Sequence, residues 1–213
     1  MEQHQLREQT MEIDCWGRKM PVFVASPEGS GKHPAVIVVH EIFGLNDHIR
    51  DVARRFAKLG IVAYAPDLFE GTCGLPADRN DLNGMRTAWS KIPDSILIAD
   101  LQTLLALAQA NDRVDSDKIG TIGFCMGGAI AFMFACSSPS IAWVVDFYGR
   151  IFYPQLSDTK PKHPIDYTYL SCPVLALFAG IDELITPEHV EAFKTKLAES
   201  GKAYEVDVYH DAK

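Results

Sequence analysis

The sequence predicts an α/β fold with a mostly parallel central sheet and helices on both faces, on three observations. Ala35-Val36-Ile37-Val38-Val39 is a continuous, largely β-branched run of the kind found in a strand buried on both faces. From that run onward, apolar strand segments alternate with stretches of helical periodicity. Near the middle of the chain, Gly123-Phe124-Cys125-Met126-Gly127-Gly128 turns an apolar strand sharply into an apolar helix. A chain of 213 residues with 47% hydrophobic content is within the range of one α/β domain and can bury a sizeable core, so residues 1–213 are read as a single domain.

The elements follow in order. Met11 to Trp16 and Met20 to Ala25 read as two short antiparallel strands joined by a turn at Gly17-Arg18-Lys19, followed by a loop at Pro27-Glu28-Gly29-Ser30-Gly31. The central sheet begins at Ala35. Ile49, Val52, Ala53, Phe56 and Ala57 recur at helical spacing, with Asn46 or Asp47 as N-cap and Gly60 placed to end the helix. A strand over Ile61 to Tyr64 is closed by Pro66, and Gly71 to Asn83 is rich in turn formers. Pro93-Asp94-Ser95 opens an amphipathic helix running to about Asn111. Next come the strand Lys118 to Phe124 and the helix Gly128 to Cys136. Beyond them lie a strand over Ile141 to Phe147, a loop over Gly149 to Tyr169, a strand over Pro173 to Phe178, a helix over Pro187 to Glu199 and a last strand over Tyr204 to Tyr209.

Composition excludes several classes of function. The formal net charge of −8, with no cluster of Lys or Arg beyond Arg54-Arg55, argues against nucleic acid, which needs a basic patch. No stretch approaches the roughly 18–20 uninterrupted apolar residues of a membrane span. Met1-Glu2-Gln3-His4-Gln5 lacks the layout of a secretory signal, so a cytoplasmic location is expected. Cys15, Cys73, Cys125, Cys136 and Cys172 are scattered without C-x-x-C spacing, which suggests reduced thiols rather than a zinc site or a disulfide framework.

Chemistry concentrates at Cys125. A nucleophile on a strained strand-to-helix turn leaves no room for side chains two residues before and after it, and Gly123 and Gly127 occupy those positions. A thiol there sits at a helix N-terminus, where free N–H groups favour a thiolate and a developing oxyanion. The alternative is a glycine-rich turn holding a buried cysteine. In α/β-hydrolases the catalytic order is nucleophile, acid, histidine. Phe178-Ala179-Gly180-Ile181-Asp182 supplies an acid just past an apolar strand, where open α/β sheets place functional groups. Asp182 would orient an imidazole, Glu183 is the fallback acid, and a turn cap ahead of Pro187 is the alternative. His210, directly after the last strand, is early for the base. Glu41, read by itself, is a loop residue ahead of the helix capped at Asn46.

The chain resembles the dienelactone hydrolase family of α/β-hydrolases over most of its length. The resemblance rests on Val39-His40-Glu41-Ile42-Phe43-Gly44-Leu45-Asn46, Ala65-Pro66-Asp67-Leu68-Phe69, the Cys125 elbow, Phe147-Tyr148-Gly149 and Ala179-Gly180-Ile181-Asp182, in that order. It implies the α/β-hydrolase fold and a Cys-Asp-His triad of Cys125, Asp182 and a histidine. In the family a Tyr-x-x-Ala-x segment precedes the His-x-Phe motif. Tyr209-His210-Asp211-Ala212-Lys213 matches that segment, so the histidine is expected after Lys213 and the 213 residues are read as lacking a C-terminal tail. The resemblance further implies that Glu41 sits beside the resting thiol and raises its pKa by like-charge repulsion until substrate displaces it. It assigns the oxyanion hole to the backbone N–H groups of Ile42 and Met126. Family substrates are small lactones bearing a carboxylate, for which Arg79 and Arg86 are the candidate partners. No metal or organic cofactor is implied.

Three other readings stay open. A broader carboxylesterase or lactonase on the same scaffold would have a mainly apolar pocket. A catalytically dead hydrolase acting as a binder would lack the histidine altogether. A redox protein built on Cys125 would need a resolving thiol from elsewhere in the chain.

Overall fold

Thirteen elements follow one another in the computed structural model, which describes residues 4–70, Thr72, 75–150 and 167–213. They are β1 (Leu6–Cys15), β2 (Arg18–Pro27), β3 (His33–Val39), α1 (Asp47–Lys58), β4 (Val62–Pro66), α2 (Leu82–Ser90), α3 (Asp94–Gln109), β5 (Val114–Phe124), α4 (Met126–Ser137), β6 (Val144–Phe147), β7 (Val174–Ala179), α5 (Pro187–Ser200) and β8 (Tyr204–Tyr209). The strands form a single sheet in the order β1-β2-β4-β3-β5-β6-β7-β8. Pairing is antiparallel from β1 to β4 and parallel from β4 to β8. This is the α/β-hydrolase architecture.

Local chemistry accounts for the boundaries. The opening hairpin turns at Trp16 and Gly17, both at positive φ (58° and 84°), the two-residue turn whose twist suits antiparallel strands. The turn sits one residue earlier than Gly17-Arg18-Lys19, and β1 starts at Leu6 rather than Met11. β1 is an edge strand whose first residues are mostly exposed, so Arg7 to Thr10 can be polar without losing their pairing to β2. Asn46 caps α1 by accepting from the Ile49 N–H at 3.0 Å, and Gly60 at φ +88° follows its end. One helix lies in a stretch with no separate helix expected: α2, capped by Asp81 accepting from the Gly84 N–H at 3.0 Å, buries Met85, Ala88 and Trp89. The loop expected over Gly149 to Tyr169 lies for most of its length outside the described residues.

The sheet separates two apolar clusters. Val36 and Val38 face α1 through Ile49, Ala53 and Ala57. Ala35, Ile37 and Val39 face the other side, where α3, α4 and α5 contribute Leu101, Ile130 and Phe193. Each of these β3 residues is fully buried, worth roughly 1.5–3 kcal/mol for each Val or Ile side chain, which is why the run is apolar at every position rather than at alternate ones. Among the described residues no helix is long and apolar enough to cross a membrane.

A carboxyl group is also buried in the sheet. Asp146, on β6, is fully buried; its Oδ1 accepts from the Gly149 N–H at 2.7 Å, and its Oδ2 is buried with no partner among the described residues. Burial pushes the carboxyl up from an ordinary value near 3.8 to about 7, opposed only by the Gly149 N–H.

Candidate active site

Because β3 to β7 run parallel, their C-terminal ends deliver side chains to one rim of the sheet. β3 leads to Glu41 and Ile42, β5 to Cys125, β6 to Tyr148 and Arg150, and β7 to Asp182. Ile42, Arg86, Cys125, Met126, Tyr148, Arg150 and Asp182 line one cleft of about 640 Å³, together with apolar side chains that include Phe43, Leu82, Trp89, Leu184 and Ile185.

The elbow around Cys125 has the expected geometry. Cys125 sits at φ 55° and ψ −120°, directly before α4, and its N–H donates to the Phe147 carbonyl at 2.9 Å. A side chain on Gly123 would collide with the Gly127 carbonyl, and one on Gly127 with the carbonyls of Val39 and His40. The two glycines therefore let β5, α4 and the end of β3 approach closely enough to hold Cys125 at the turn. The thiol is half-buried.

Its electrostatic surroundings keep it protonated at neutral pH. Burial is the largest influence holding the thiol above its ordinary range; the Met126 N–H lowers it, the Glu41 and Asp182 carboxylates raise it, and the Arg86 guanidinium lowers it. Glu41 Oε1 also accepts from the Tyr148 hydroxyl at 2.9 Å. Tyr148 stands at φ 42°, and its phenol is pushed up first by burial and then by Glu41. Asp182 Oδ1 accepts from the Leu184 N–H at 2.7 Å and the Ile185 N–H at 3.1 Å, so the carboxylate caps its turn through one oxygen while it lines the cleft.

The two candidate arginines part company. Arg86, on α2, is exposed along the cleft and near enough to Cys125 to act on its thiol. Arg79 is not among the lining residues. Its Nη2 lies 2.9 Å from Glu70 Oε2 and 3.7 Å from Asp67 Oδ2, and its guanidinium covers Gly44, where an added Cβ would stand 2.7 Å from Nη1. Arg79 thus braces the Glu41–Asn46 loop against the segment after β4. His40 works in the same brace: fully buried, it accepts the Leu68 N–H on Nε2 at 3.0 Å, so its proton is on Nδ1, donated to the Glu41 carbonyl at 2.6 Å. Burial lowers its pKa, which keeps the ring neutral.

Arg150 went unread in the sequence because nothing local sets it apart from a loop arginine. Tyr148 carried one signal, the Phe147-Tyr148-Gly149 motif. Among the described residues that line the cleft, none is a histidine. His210 is exposed, packed by its backbone against Gly180, where a Cβ would stand 2.6 Å from the His210 Cα. The chain then turns so that the Ala212 carbonyl accepts from the Ile181 N–H at 3.0 Å, one residue from Asp182. Among the described residues no group of three or more His, Cys, Asp or Glu side chains is disposed to hold a metal ion.

The model of the dienelactone hydrolase family matches residues 20–213. The chain belongs to the dienelactone hydrolase family. A provisionally named carboxymethylenebutenolidase of Salmonella typhi is 39% identical over 208 residues, covering 94% of this chain and 74% of that protein. A Bradyrhizobium protein, provisionally named a 2-oxo-3-(5-oxofuran-2-ylidene)propanoate lactonase, is 30% identical over 206 residues, with 95% and 81% covered. Among solved structures, a provisionally named dienelactone hydrolase from Klebsiella pneumoniae superposes with a TM-score of 0.87 at 33% identity, covering 96% of this chain and 85% of that one. This dienelactone hydrolase family member is accordingly a hydrolase, and small molecules are the substrates of its class.

Proposed function

We propose that this hydrolase opens a small lactone bearing a carboxylate, with Cys125 as nucleophile in a triad with Asp182 and a histidine. The observation that carries the reading is the thiol on a strained elbow, half-buried in a cleft that it shares with Asp182 and Arg86. The relatives' names support the substrate class, since a carboxymethylenebutenolide and an oxofuranylidene propanoate are both lactones carrying a carboxylate.

In this reading the histidine takes the thiol proton as sulfur bonds to the lactone carbonyl carbon. The carbonyl oxygen gains the negative charge and is met by the N–H groups of Met126 and Ile42, each such donor typically worth about 3–4 kcal/mol of barrier. Collapse breaks the ring C–O bond, and the imidazolium returns its proton to the departing oxygen. Water, deprotonated by the imidazole, then cleaves the thioester, releasing a carboxylic acid and restoring the thiol. Burial, reinforced by Glu41, keeps the resting thiol neutral, so the reactive thiolate forms in the presence of substrate. For carboxymethylenebutenolide the product is maleylacetate. The Ile181 N–H donates to the Ala212 carbonyl, so the segment after β8 runs beside Asp182.

The test compares lactone opening by wild type and Cys125→Ala, with the intact mass recorded during turnover. A rate loss of at least 100-fold and an acyl adduct on the wild type alone are expected; equal rates, or an adduct on the variant, would sink the nucleophile assignment. A second reading, a broader carboxylesterase for uncharged esters, draws on the apolar lining from Phe43, Leu82, Trp89, Leu184 and Ile185.

A further inference from the structure

Asp146 occupies a strand position enclosed on all sides, where a carboxyl is harder to bury than an apolar side chain. Its role is visible at Oδ1. That oxygen accepts from the Gly149 N–H at 2.7 Å and fills a notch between two glycines, since a β-carbon on Gly128 or on Gly149 would collide with it. The carboxyl is thereby wedged between the first turn of α4 and the turn that ends β6. That turn carries the surroundings of Cys125. The Phe147 carbonyl holds the Cys125 N–H at 2.9 Å, the Tyr148 N–H donates to the Leu177 carbonyl at 2.8 Å, and the Tyr148 hydroxyl donates to Glu41 Oε1 at 2.9 Å. Among the described residues, Asp146 is the only acceptor for the Gly149 N–H. Tyr148 stands at φ 42°, a sparsely populated conformation for a residue with a β-carbon, and it persists only where the flanking groups are fixed.

We propose that Asp146 is a positioning residue: by holding the Gly149 N–H it fixes the Tyr148 turn, and through the Tyr148 hydroxyl it keeps the Glu41 carboxylate against the Cys125 thiol. The inference rests on the proposed part of Glu41 in keeping that thiol neutral, and it names the group behind the cleft that sets Glu41 in place. Asp146 is not among the residues that line the cleft, so its influence on Cys125 runs through the turn. An apolar residue at this position would pack as well in the strand but would leave the Gly149 N–H without its acceptor.

The test is alkylation of Cys125 by iodoacetamide at about pH 7.5, read by peptide mass mapping, which needs no turnover. Asp146→Val, which lacks the acceptor, should alkylate severalfold faster than wild type, as Glu41→Gln does. Asp146→Asn keeps an acceptor oxygen and should stay within about twofold of wild type. Tyr148→Phe removes only the hydroxyl and should match Asp146→Val. In a Glu41→Gln background Asp146→Val should change the rate by less than about twofold, because the carboxylate it positions is gone. Packing that is merely looser would speed alkylation in that background as well. The inference is overturned if Asp146→Val reacts at the wild-type rate, if Asp146→Asn is as fast as Asp146→Val, if Tyr148→Phe is unchanged, or if the double variant is additive. Acceleration by Glu41→Gln alone would sink it and leave the part of Glu41 standing, whereas no acceleration in any variant would sink both. Should Asp146→Val not fold, Asp146→Ala, too small to crowd the notch, takes its place. Failure of both beside a folded Asp146→Asn would overturn the inference too, since the acceptor would then hold the fold rather than the turn.

Discussion

Replacing Asp146 with asparagine should remove one component of the pH dependence of stability in one defined window. The unfolded chain loses this proton near pH 3.8, whereas the native carboxyl, buried on β6 with one oxygen unmet, holds it to about pH 7. Between those values the native state binds the extra proton, so ionisation works against folding and stability falls as pH rises. The slope is about 1.4 kcal/mol per pH unit, and three units give a loss on the order of 4 kcal/mol, complete above pH 7 and absent below pH 3.8. Asparagine does not titrate. Its amide is expected to shift the whole curve by a constant, because one N–H replaces one unmet oxygen, but it leaves no slope. Urea unfolding of both proteins at half-unit steps from about pH 4.5 to about pH 8.5, which covers most of the window and the plateau above it, isolates Asp146 in the difference between them. Asp146→Asn should gain on the wild type steadily to about pH 7 and then hold its advantage. Parallel curves would refute the argument, and so would a wild type that gains on the variant as pH rises, since that requires a cation beside the carboxylate.

Two further outcomes follow from the elbow and its neighbours. Gly127→Ala would set a Cβ about 2.5 Å from the Val39 carbonyl oxygen, backbone against backbone, and should cost about 1–3 kcal/mol in urea unfolding and about 100-fold in lactone opening; a variant within about 0.5 kcal/mol of wild type would mean that β3 and α4 are not so close. Glu41→Gln removes a charge that raises the Cys125 thiol, so alkylation of Cys125 by iodoacetamide at pH about 7.5, followed by peptide mass mapping, should run severalfold faster than in wild type; an unchanged or slower rate would remove Glu41 from the thiol's electrostatics.

The features legible in the sequence are those set by neighbouring residues. The Cys125 elbow announced itself because steric crowding at a tight turn dictates glycine two positions either side. Asn46 was readable as a cap because the capping bond spans three residues, and β8 because its strand pattern is uninterrupted. What escaped depends on partners distant in sequence. The Arg79 guanidinium is drawn from the cleft by Asp67 and Glu70, and residue type alone gives no sign of which acid an arginine meets. Helix α2 was hidden among turn formers because it buries only Met85, Ala88 and Trp89, too few to set a clear period. The isolation of Asp146 is a property of what packs around β6, and no local pattern marks it.

The backbone of Cys125 has a wider consequence. At φ 55° and ψ −120° a residue with a β-carbon is disfavoured by about 1–3 kcal/mol, and glycine would escape that penalty. The penalty is present in every molecule at every moment, whether or not a substrate is near. A laboratory lineage selected from this chain for heat tolerance alone would therefore be drawn toward Cys125→Gly and would accumulate sturdy proteins without a thiol. With Cys125 as the proposed nucleophile, durability and reactivity pull this codon in opposite directions, and any programme that hardens the molecule has to screen for turnover in the same round.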